Sequence, residues 1–341
     1  MRASEEIFRT RKAAAHFFNA ASEERVIITL NCTSAMNIVL KGILKSGDHV
    51  VVSDMEHNAV MRPLEGLLKN GVTYTAAKVF PQDNDKTVDS FRKSINAKTR
   101  MIVCTQASNV WGIRLPVERL AALAHEYGLL IAVDAAQSAG VVPIDIMDSR
   151  IDFLCVAGHK GLYGPMGTGL LIIGGETIPQ PLIEGGTGSY SSFFEQPSEL
   201  PDRLESGTPN VPGIAGLRAG IEFISQYGTE RAFRHEMMLI KRLYRQLSAM
   251  KGAELYMPEP DEKHFVPILS FNIRGLDSET AAKKLSSYGI ALRAGLHCSP
   301  AAHKAVGTEK SGAIRISPSV FNTVQETDRV SMAVRQIIES I

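Results

Sequence analysis

The sequence predicts an α/β fold built on a mostly parallel sheet with helices on both faces, followed by a smaller C-terminal unit. In the first half of the chain, short apolar runs alternate with helical patterns, as in parallel strands joined by helical crossovers. A stretch rich in Gly, Ser and Pro at 181–210 precedes a long helical pattern at 214–250 and a second, shorter set of elements. The 341 residues are enough for two domains.

The individual elements follow from hydrophobic periodicity, taken in chain order. Apolar runs predict strands of the first unit at 26–30, 49–53, 72–79, 100–105, 129–133, 152–156 and 169–173. Helical spacing predicts helices at 4–20, 31–44, 54–69, 88–95 and 117–127. In the second unit we expect strands at 266–273 and 313–317 and helices at 278–288 and 324–338. We place the large domain at 1–235 and the small domain at 236–341.

Composition and charge exclude several classes of function. The formal net charge is +1 and aromatic residues make up 6% of the chain, so neither a basic nor a base-stacking nucleic-acid surface is expected. No apolar run is long enough to span a membrane, and we expect a cytoplasmic protein. The four cysteines lack Cys-x-x-Cys spacing and form no zinc-type pattern with histidine, so we expect no metal site.

Polar residues stand where the predicted strands end or the next helices begin. Each one alone is more often a helix cap or a solvated loop residue. Ligands of parallel sheets bind beyond the carboxyl ends of the strands, so the shared placement indicates one site. The residues are Thr33, His57, Asn109, Asp134, Gln137 and Lys160.

Lys160 is the candidate reactive residue of this set. It follows an apolar run at 151–156 and lies between Gly158 and Gly161, which allow the backbone to pass close to a bound group. Burial would lower the pKa of such a lysine and make it a Schiff-base nucleophile. The alternative is a lysine that lies at a solvated strand end.

A set of short motifs extends along nearly the whole chain. They are Cys32-Thr33-Ser34-Ala35-Met36-Asn37, Glu56-His57-Asn58-Ala59, Ser108-Asn109-Val110-Trp111-Gly112, Val133-Asp134-Ala135-Ala136-Gln137, Gly158-His159-Lys160, Glu205-Ser206-Gly207-Thr208-Pro209-Asn210, Arg293-Ala294-Gly295-Leu296-His297-Cys298, and Arg315 with Phe321-Asn322-Thr323. In this order they resemble the class V aminotransferase family of pyridoxal-phosphate (PLP) enzymes, and more narrowly its cysteine desulfurase-like proteins of the group II type. The resemblance implies PLP fold type I with a smaller C-terminal α+β domain.

The resemblance also implies PLP as the cofactor and a set of residues that bind it. Lys160 would hold PLP covalently, and Asp134 would pair with the pyridine nitrogen, which keeps the ring able to accept electrons. His57 would stack on the ring. The other implied contacts are Asn109 and Gln137 at the ring hydroxyl, and the backbone of Cys32 with Thr33 and His159 at the phosphate.

The implied reaction converts L-cysteine to L-alanine and leaves the sulfur on Cys298 as a persulfide. Lys160, Cys298 and His57 would be the catalytic residues, with Lys160 removing the Cα proton. Arg315 would clamp the substrate carboxylate, and Arg293 would line the same mouth. We also expect Arg293 and His297 to supply positive charge that lowers the pKa of the Cys298 thiol.

The implied partners are a second copy of the chain and a sulfur acceptor. Thr208 would reach the phosphate bound by the neighbouring subunit, which makes a homodimer the expected working unit. A sulfur-acceptor protein is a possible further partner. L-cysteine is the expected substrate, with selenocysteine as an alternative.

The sequence departs from the family pattern at four places. The N-terminal segment that opens the family pattern is expected to be absent, Ala157 stands where a Ser or Thr usually binds phosphate, Gly161 is extra, and Leu296 replaces a histidine. These departures leave other interpretations open: another class V enzyme (a selenocysteine lyase, an aminotransferase or an epimerase), or a PLP-binding protein of low activity.

Overall fold

The structure is a computed structural model that describes residues 2–341. The chain divides into two compact units. Unit 1 comprises the chain up to Ser53 together with Ala59–Gln106 and Leu115–Thr229, and unit 2 comprises Asp54–Asn58, Ala107–Arg114 and Glu230–Ile341. The predicted domain boundary between residues 235 and 236 stays a prediction.

A seven-stranded sheet forms the centre of unit 1. Its strands are β1 (Val26–Thr29), β2 (His49–Ser53), β3 (Thr73–Ala77), β4 (Thr99–Thr105), β5 (Leu130–Asp134), β6 (Phe153–Ala157) and β7 (Gly169–Ile173). The order across the sheet is β1-β7-β6-β5-β4-β2-β3. The strands from β3 to β6 pair in parallel, whereas β7 is antiparallel to both β1 and β6. The central strands read as continuous apolar runs because parallel strands are covered on both faces.

Helices of unit 1 connect these strands. They are α1 (Arg2–Phe18), α2 (Cys32–Ile43), α3 (Asn58–Leu68), α4 (Asn84–Ser94), α5 (Val117–Glu126) and α6 (Val211–Tyr227). Helix α2 contributes Met36 and Leu40 to an apolar cluster that also holds Val103 of β4 and Phe153 of β6, all of them fully buried. Burial of this apolar surface is the main force that fixes α2 on the sheet.

Unit 2 is built on a small antiparallel sheet. Its strands are β8 (Ala253–Leu255), β9 (Leu269–Ile273) and β10 (Ile314–Ile316), in the order β10-β9-β8. Its helices are α7 (Thr229–Ser248), α8 (Ser278–Ser287), α9 (Pro300–Val306) and α10 (Val324–Glu339). Phe271, Leu285 and Val334 are fully buried in its core, so one residue from the sheet and one from each of α8 and α10 meet there.

The observed α/β architecture with a mostly parallel sheet is the predicted one, but three elements differ from the prediction. The single helix expected at 214–250 is two helices, because Gly228 ends α6 with a φ of 92°, a conformation that glycine adopts without steric cost. Strand β8 has three residues and helix α9 has seven, lengths too short to give a clear periodicity.

The turn after β5 generates a stability prediction. Gly140 has a φ of 77°, and a Cβ atom at this position would lie 2.1 Å from the carbonyl oxygen of Gly161. We expect Gly140→Ala to lower the free energy of unfolding by about 2 kcal/mol or more, because strain and overpacking add. Urea unfolding followed by circular dichroism measures this change.

Gly66 is the matched control. It lies inside α3, and a Cβ atom there would meet nothing within 4 Å. Gly66→Ala should therefore be neutral or stabilise the protein by up to about 1 kcal/mol, because alanine is the better helix former. Equal effects of the two substitutions would contradict the packing described for the Gly140 turn.

Candidate active site

Asp134 lies at the carboxyl end of β5 near the middle of the large sheet. It pairs in register with Thr105 of β4 and Cys155 of β6 and is 3% exposed. Its Oδ1 atom accepts a hydrogen bond from the backbone N–H of Ala136 at 2.9 Å. Among the described residues no hydrogen bond is made to Oδ2, so this carboxylate oxygen is the one available to a ligand.

A thiol also donates to the Oδ1 atom of this carboxylate. Cys32, the first residue of α2, is 5% exposed, and its Sγ atom donates to Asp134 Oδ1 at 3.3 Å and lies 3.4 Å from the carbonyl oxygen of Cys155. Burial raises the pKa of the Cys32 thiol, and the charge of Asp134 raises it further. The thiol therefore stays protonated and serves as a hydrogen-bond donor. From the sequence, only the backbone of Cys32 was expected to contact the cofactor. The hydrogen bond from its thiol to Asp134 was missed.

The N-terminus of α2 offers an anion site in the same unit. Asn31 caps the helix by accepting from the backbone N–H of Ser34 at 2.9 Å. The exposed Thr33 lies in the first turn, where backbone N–H groups have no partner within the helix and the helix dipole favours negative charge. A phosphate group fits this place, and the predicted phosphate contacts of Cys32 and Thr33 stay predictions.

Lys160 lies on a tight turn that follows β6. The Gly158 N–H donates to the Thr168 carbonyl at 2.9 Å, and the Gly164 N–H donates to the Gly158 carbonyl at 2.8 Å. A Cβ atom on Gly158 would lie 2.3 Å from Thr168 Oγ1, so only glycine fits there. The turn presents Lys160 as an exposed residue, which corrects the expectation that it is buried.

The residues near Lys160 in the sequence differ in exposure and packing. His159 is exposed, and its pKa is lowered by partial burial and by the charge of Lys160. The extra residue Gly161 packs where a Cβ would lie 2.5 Å from the Ala139 carbonyl oxygen, which explains glycine at this position. Ala157 is 3% exposed and belongs to the apolar cluster under α2, so its side chain offers no hydroxyl to a phosphate.

Two further predicted contacts, Gln137 and Thr208, also lie in unit 1. Gln137 is half-buried after β5, and Thr208 is exposed. The segment before Thr208 is fixed by Glu205, whose carboxylate forms a two-pronged pair with Arg11 at 2.7 Å for both contacts and accepts from the Ile28 N–H at 2.6 Å. This ion pair was missed because its partners are 194 residues apart. The predicted ligand contacts of Gln137 and Thr208 stay predictions.

The Cys298 loop belongs to unit 2, together with His57 and Asn109. Cys298 is exposed, whereas Cys32, Cys104 and Cys155 are buried. The Cys298 carbonyl accepts from the Asn58 N–H at 2.8 Å, and half-buried His57 is the residue before Asn58. The loop therefore presents the most accessible of the four thiols.

Asn109 binds this loop and the predicted substrate arginine. Its side-chain Nδ2 donates to the His297 carbonyl at 2.8 Å, and its side-chain Oδ1 accepts from the Ser299 hydroxyl at 2.6 Å. Its backbone carbonyl accepts from Arg315 Nη1 at 2.8 Å. Asn109 was predicted only as a contact of the cofactor. Its hold on the loop was missed, because the residues it joins lie nearly 200 positions apart in the sequence.

The two predicted substrate arginines are neighbours. The Arg315 N–H donates to the Arg293 carbonyl at 2.7 Å, and the Arg293 N–H donates back at 3.4 Å. Burial lowers the pKa of Arg315, and the charge of Arg293 lowers it further. Two guanidinium groups held in one place favour a carboxylate ligand.

His297 does not supply the positive charge expected beside Cys298. It is 7% exposed, and its Nε2 is bonded to the Ala313 carbonyl at 2.8 Å. Burial lowers its pKa to about 4, and the charges of Arg315 and Arg293 act in the same direction. His297 is therefore neutral at neutral pH. Of the two residues expected to supply positive charge near Cys298, only Arg293 remains.

The described residues contain no group of three or more His, Cys, Asp or Glu side chains arranged to hold a metal ion. None of the described helices combines the length and apolar character needed to cross a bilayer.

An α/β sheet with a buried carboxylate, an anion-binding helix terminus and an exposed lysine at its carboxyl ends defines a candidate cofactor-dependent enzyme. Residues 1–330 match the family described as aminotransferase class-V. The chain belongs to this family.

The similar proteins are cysteine desulfurases. The chain is 34% identical to a probable cysteine desulfurase of Methanothermobacter thermautotrophicus, over 99% of this chain and 85% of the relative. The apo structure of a cysteine desulfurase from Thermococcus onnurineus is 31% identical and covers 100% of this chain and 85% of its own, with a TM-score of 0.91. The cysteine desulfurase CsdA from Escherichia coli, in its S-sulfonic acid form, is 28% identical over 100% and 85%, with a TM-score of 0.90. These comparisons confirm the predicted family and PLP fold type I, with PLP as the cofactor.

The residues of unit 1 fit this cofactor. Oδ2 of Asp134 is open to a protonated ring nitrogen, the α2 terminus around Thr33 suits the phosphate, and Lys160 offers an accessible amine. Each of these groups matches a different part of PLP in charge and in hydrogen-bonding character.

The buried His297 generates a prediction about pH. Because its folded pKa is lowered to about 4 from an ordinary 6.5, the unfolded chain takes up the proton first as pH falls. The stability contributed by neutral His297 is therefore complete above pH 6.5 and is lost as pH falls toward 4. Between pH 7 and pH 5, the wild type should lose about 2 kcal/mol more unfolding free energy than His297→Gln.

Urea unfolding of both proteins at the two pH values measures this difference. Glutamine keeps an N–H donor for the Ala313 carbonyl, so the comparison isolates the titration. An equal loss of stability in the two proteins would show that His297 is not held neutral by its surroundings.

Proposed function

We propose that this chain is a PLP-dependent cysteine desulfurase that converts L-cysteine to L-alanine and carries the sulfur away on Cys298. The observation that carries the proposal is the Cys298 loop. It presents an exposed thiol, in a chain that is similar to a probable cysteine desulfurase over 99% of its length. A sulfur-accepting nucleophile needs this accessibility, which the three buried cysteines lack.

The cofactor residues are assigned as follows. When bound, PLP withdraws electron density from the substrate Cα and so makes its proton acidic. Lys160 would hold the cofactor, Asp134 would pair with its ring nitrogen, and His57 would stack on its ring. The remaining contacts would come from Asn109 and Gln137 at the ring hydroxyl and from Cys32, Thr33 and His159 at the phosphate.

The substrate is held by its carboxylate. Arg315 is the principal clamp, because its guanidinium is oriented by the Asn109 carbonyl and by its place on β10. Arg293 lies beside it and adds positive charge.

Proton and sulfur transfer then use two side chains. The amine of Lys160 takes the Cα proton as general base. The thiolate of Cys298 attacks the substrate sulfur, so that an S–S bond forms while the substrate Cβ–S bond breaks. The electron pair of that bond returns to the carbon skeleton, which takes up protons and leaves as alanine. The persulfide on Cys298 then passes its outer sulfur to a thiol or to an acceptor protein.

The working unit is proposed to be a homodimer. Residues 174–210 form no helix or strand in the described structure, and they carry the exposed side chains Ile183, Phe193 and Phe194. An exposed apolar surface of this kind is typical of a protein interface. Thr208, at the end of the same segment, is proposed to contact the phosphate bound by the partner subunit. We propose the cytoplasm as the compartment, because all four cysteines are free thiols.

Persulfide formation tests this proposal. After incubation with L-cysteine, the PLP-loaded protein should gain the mass of one sulfur atom on the peptide containing Cys298 and release alanine. In the presence of a thiol reductant it should release sulfide. The rate of sulfide release by Cys298→Ala should be at least about 100-fold lower than that of the parent protein, because no other accessible thiol replaces the nucleophile.

Cys104→Ala is the matched control, because Cys104 is a buried residue of β4. The folded Cys104→Ala variant should release sulfide at the rate of the parent protein. Sulfide release by Cys298→Ala at the parent rate would overturn the assignment of Cys298 and favour another PLP-dependent reaction.

A further inference from the structure

The backbone of the Cys298 loop adopts an unusual conformation. His297 and Cys298 have φ angles of 50° and 57°, so both lie in the left-handed region that residues with a Cβ atom rarely adopt. Among the described residues they are the one pair of consecutive non-glycine residues with positive φ. Such a pair persists only where the surroundings hold it in place.

Hydrogen bonds hold each carbonyl of this pair. The His297 carbonyl accepts from Asn109 Nδ2 at 2.8 Å, and the Cys298 carbonyl accepts from the Asn58 N–H at 2.8 Å. The Ser299 N–H donates to the Leu296 carbonyl at 2.9 Å and closes the turn. Two of these bonds are made by the backbone, and only the bond from Asn109 depends on how a side chain is oriented.

Ser299 controls that orientation. Its hydroxyl is fully buried and donates to Asn109 Oδ1 at 2.6 Å. With Oδ1 turned toward this hydroxyl, the amide nitrogen of Asn109 must face the other way, toward the His297 carbonyl. The orientation of a side-chain amide is set by its partners in this way.

The Ser299 hydroxyl does not make the hydrogen bond that is usual for its position in the chain. Ser299 is the N-cap residue of α9, a position where serine normally accepts from a backbone N–H of the first turn. Its side chain makes no such bond here. Helix α9 thus begins without a side-chain cap, and the one polar atom that would supply it is committed to Asn109.

From these observations we propose that Ser299 is a positioning residue for Cys298, acting through Asn109. The Ser299 hydroxyl fixes the Asn109 amide, the amide fixes the His297 carbonyl, and the carbonyl keeps the loop in the left-handed turn that presents the thiol. Because the backbone carbonyl of Asn109 also accepts from Arg315, the same residue joins the Cys298 loop to the proposed substrate clamp. The role in sulfur transfer rests on the proposed function.

The test compares Ser299→Ala with the parent in two measurements. The first is hydrogen–deuterium exchange of the peptide containing residues 296–299 in the protein without substrate, where we expect exchange about tenfold faster in the variant. The second is single-turnover formation of the Cys298 persulfide by the PLP-loaded protein. We expect it to slow about tenfold, while the cysteine concentration that half-saturates the change in cofactor absorbance moves less than twofold.

Two further variants make the comparison specific. Ser278→Ala removes another buried hydroxyl of unit 2, which donates to the Ser311 carbonyl at 2.7 Å, and should leave persulfide formation unchanged. Asn109→Ala and the double variant Ser299→Ala/Asn109→Ala should form persulfide at the same rate, because Ser299 acts through Asn109.

Each result decides the proposal. Faster exchange with slower persulfide formation supports it. Unchanged exchange at 296–299, or an unchanged persulfide rate in an active parent, overturns it. If the parent itself forms no persulfide, the proposed function fails and takes the catalytic role of Ser299 with it, while the exchange measurement separately reports whether Ser299 holds the loop.

Discussion

The parallel alignment of β2, β4, β5 and β6 is the constraint on which the large unit depends. Because these strands run the same way, β4, β5 and β6 end at one edge of the sheet, with Thr105, Asp134 and Ala157 as their last residues. Asp134 is a buried polar residue at this edge. Asp134, the turn that carries Lys160, and the thiol of Cys32 all owe their positions in unit 1 to this arrangement.

The small unit holds the exposed thiol of Cys298, the proposed nucleophile, in a fixed loop. An exposed loop residue is ordinarily mobile, but here the carbonyls of His297 and Cys298 are bonded by Asn109 and Asn58. Burial holds His297 neutral, so this histidine adds no positive charge next to Cys298. These contacts are consistent with the reactive role that we propose for this thiol.

Hydrophobic pattern and motif order were enough to predict the family and most of the fold, while the roles of the candidate site residues stay predictions. The apolar runs identified all seven strands of the large sheet, most clearly the buried strands β2, β5, β6 and β7, whereas the edge strand β3 is mostly exposed. The sequence pattern gave wrong predictions where the folded structure determines the outcome. Gly228 divides one expected helix into two, and His297 is neutral rather than charged. The roles of Ser299 and Glu205 were invisible in the sequence, because their partners come from distant segments.

The central claim is that the turn after β6 carries the cofactor, and the location of the covalent bond to PLP tests it most directly. Reduction of the PLP-loaded protein with sodium borohydride, followed by proteolysis and mass spectrometry, locates that bond. The account predicts the mass of the reduced cofactor on Lys160, and its loss in Lys160→Ala. A cofactor adduct on another lysine, or none in a protein that shows PLP absorbance, would contradict the account.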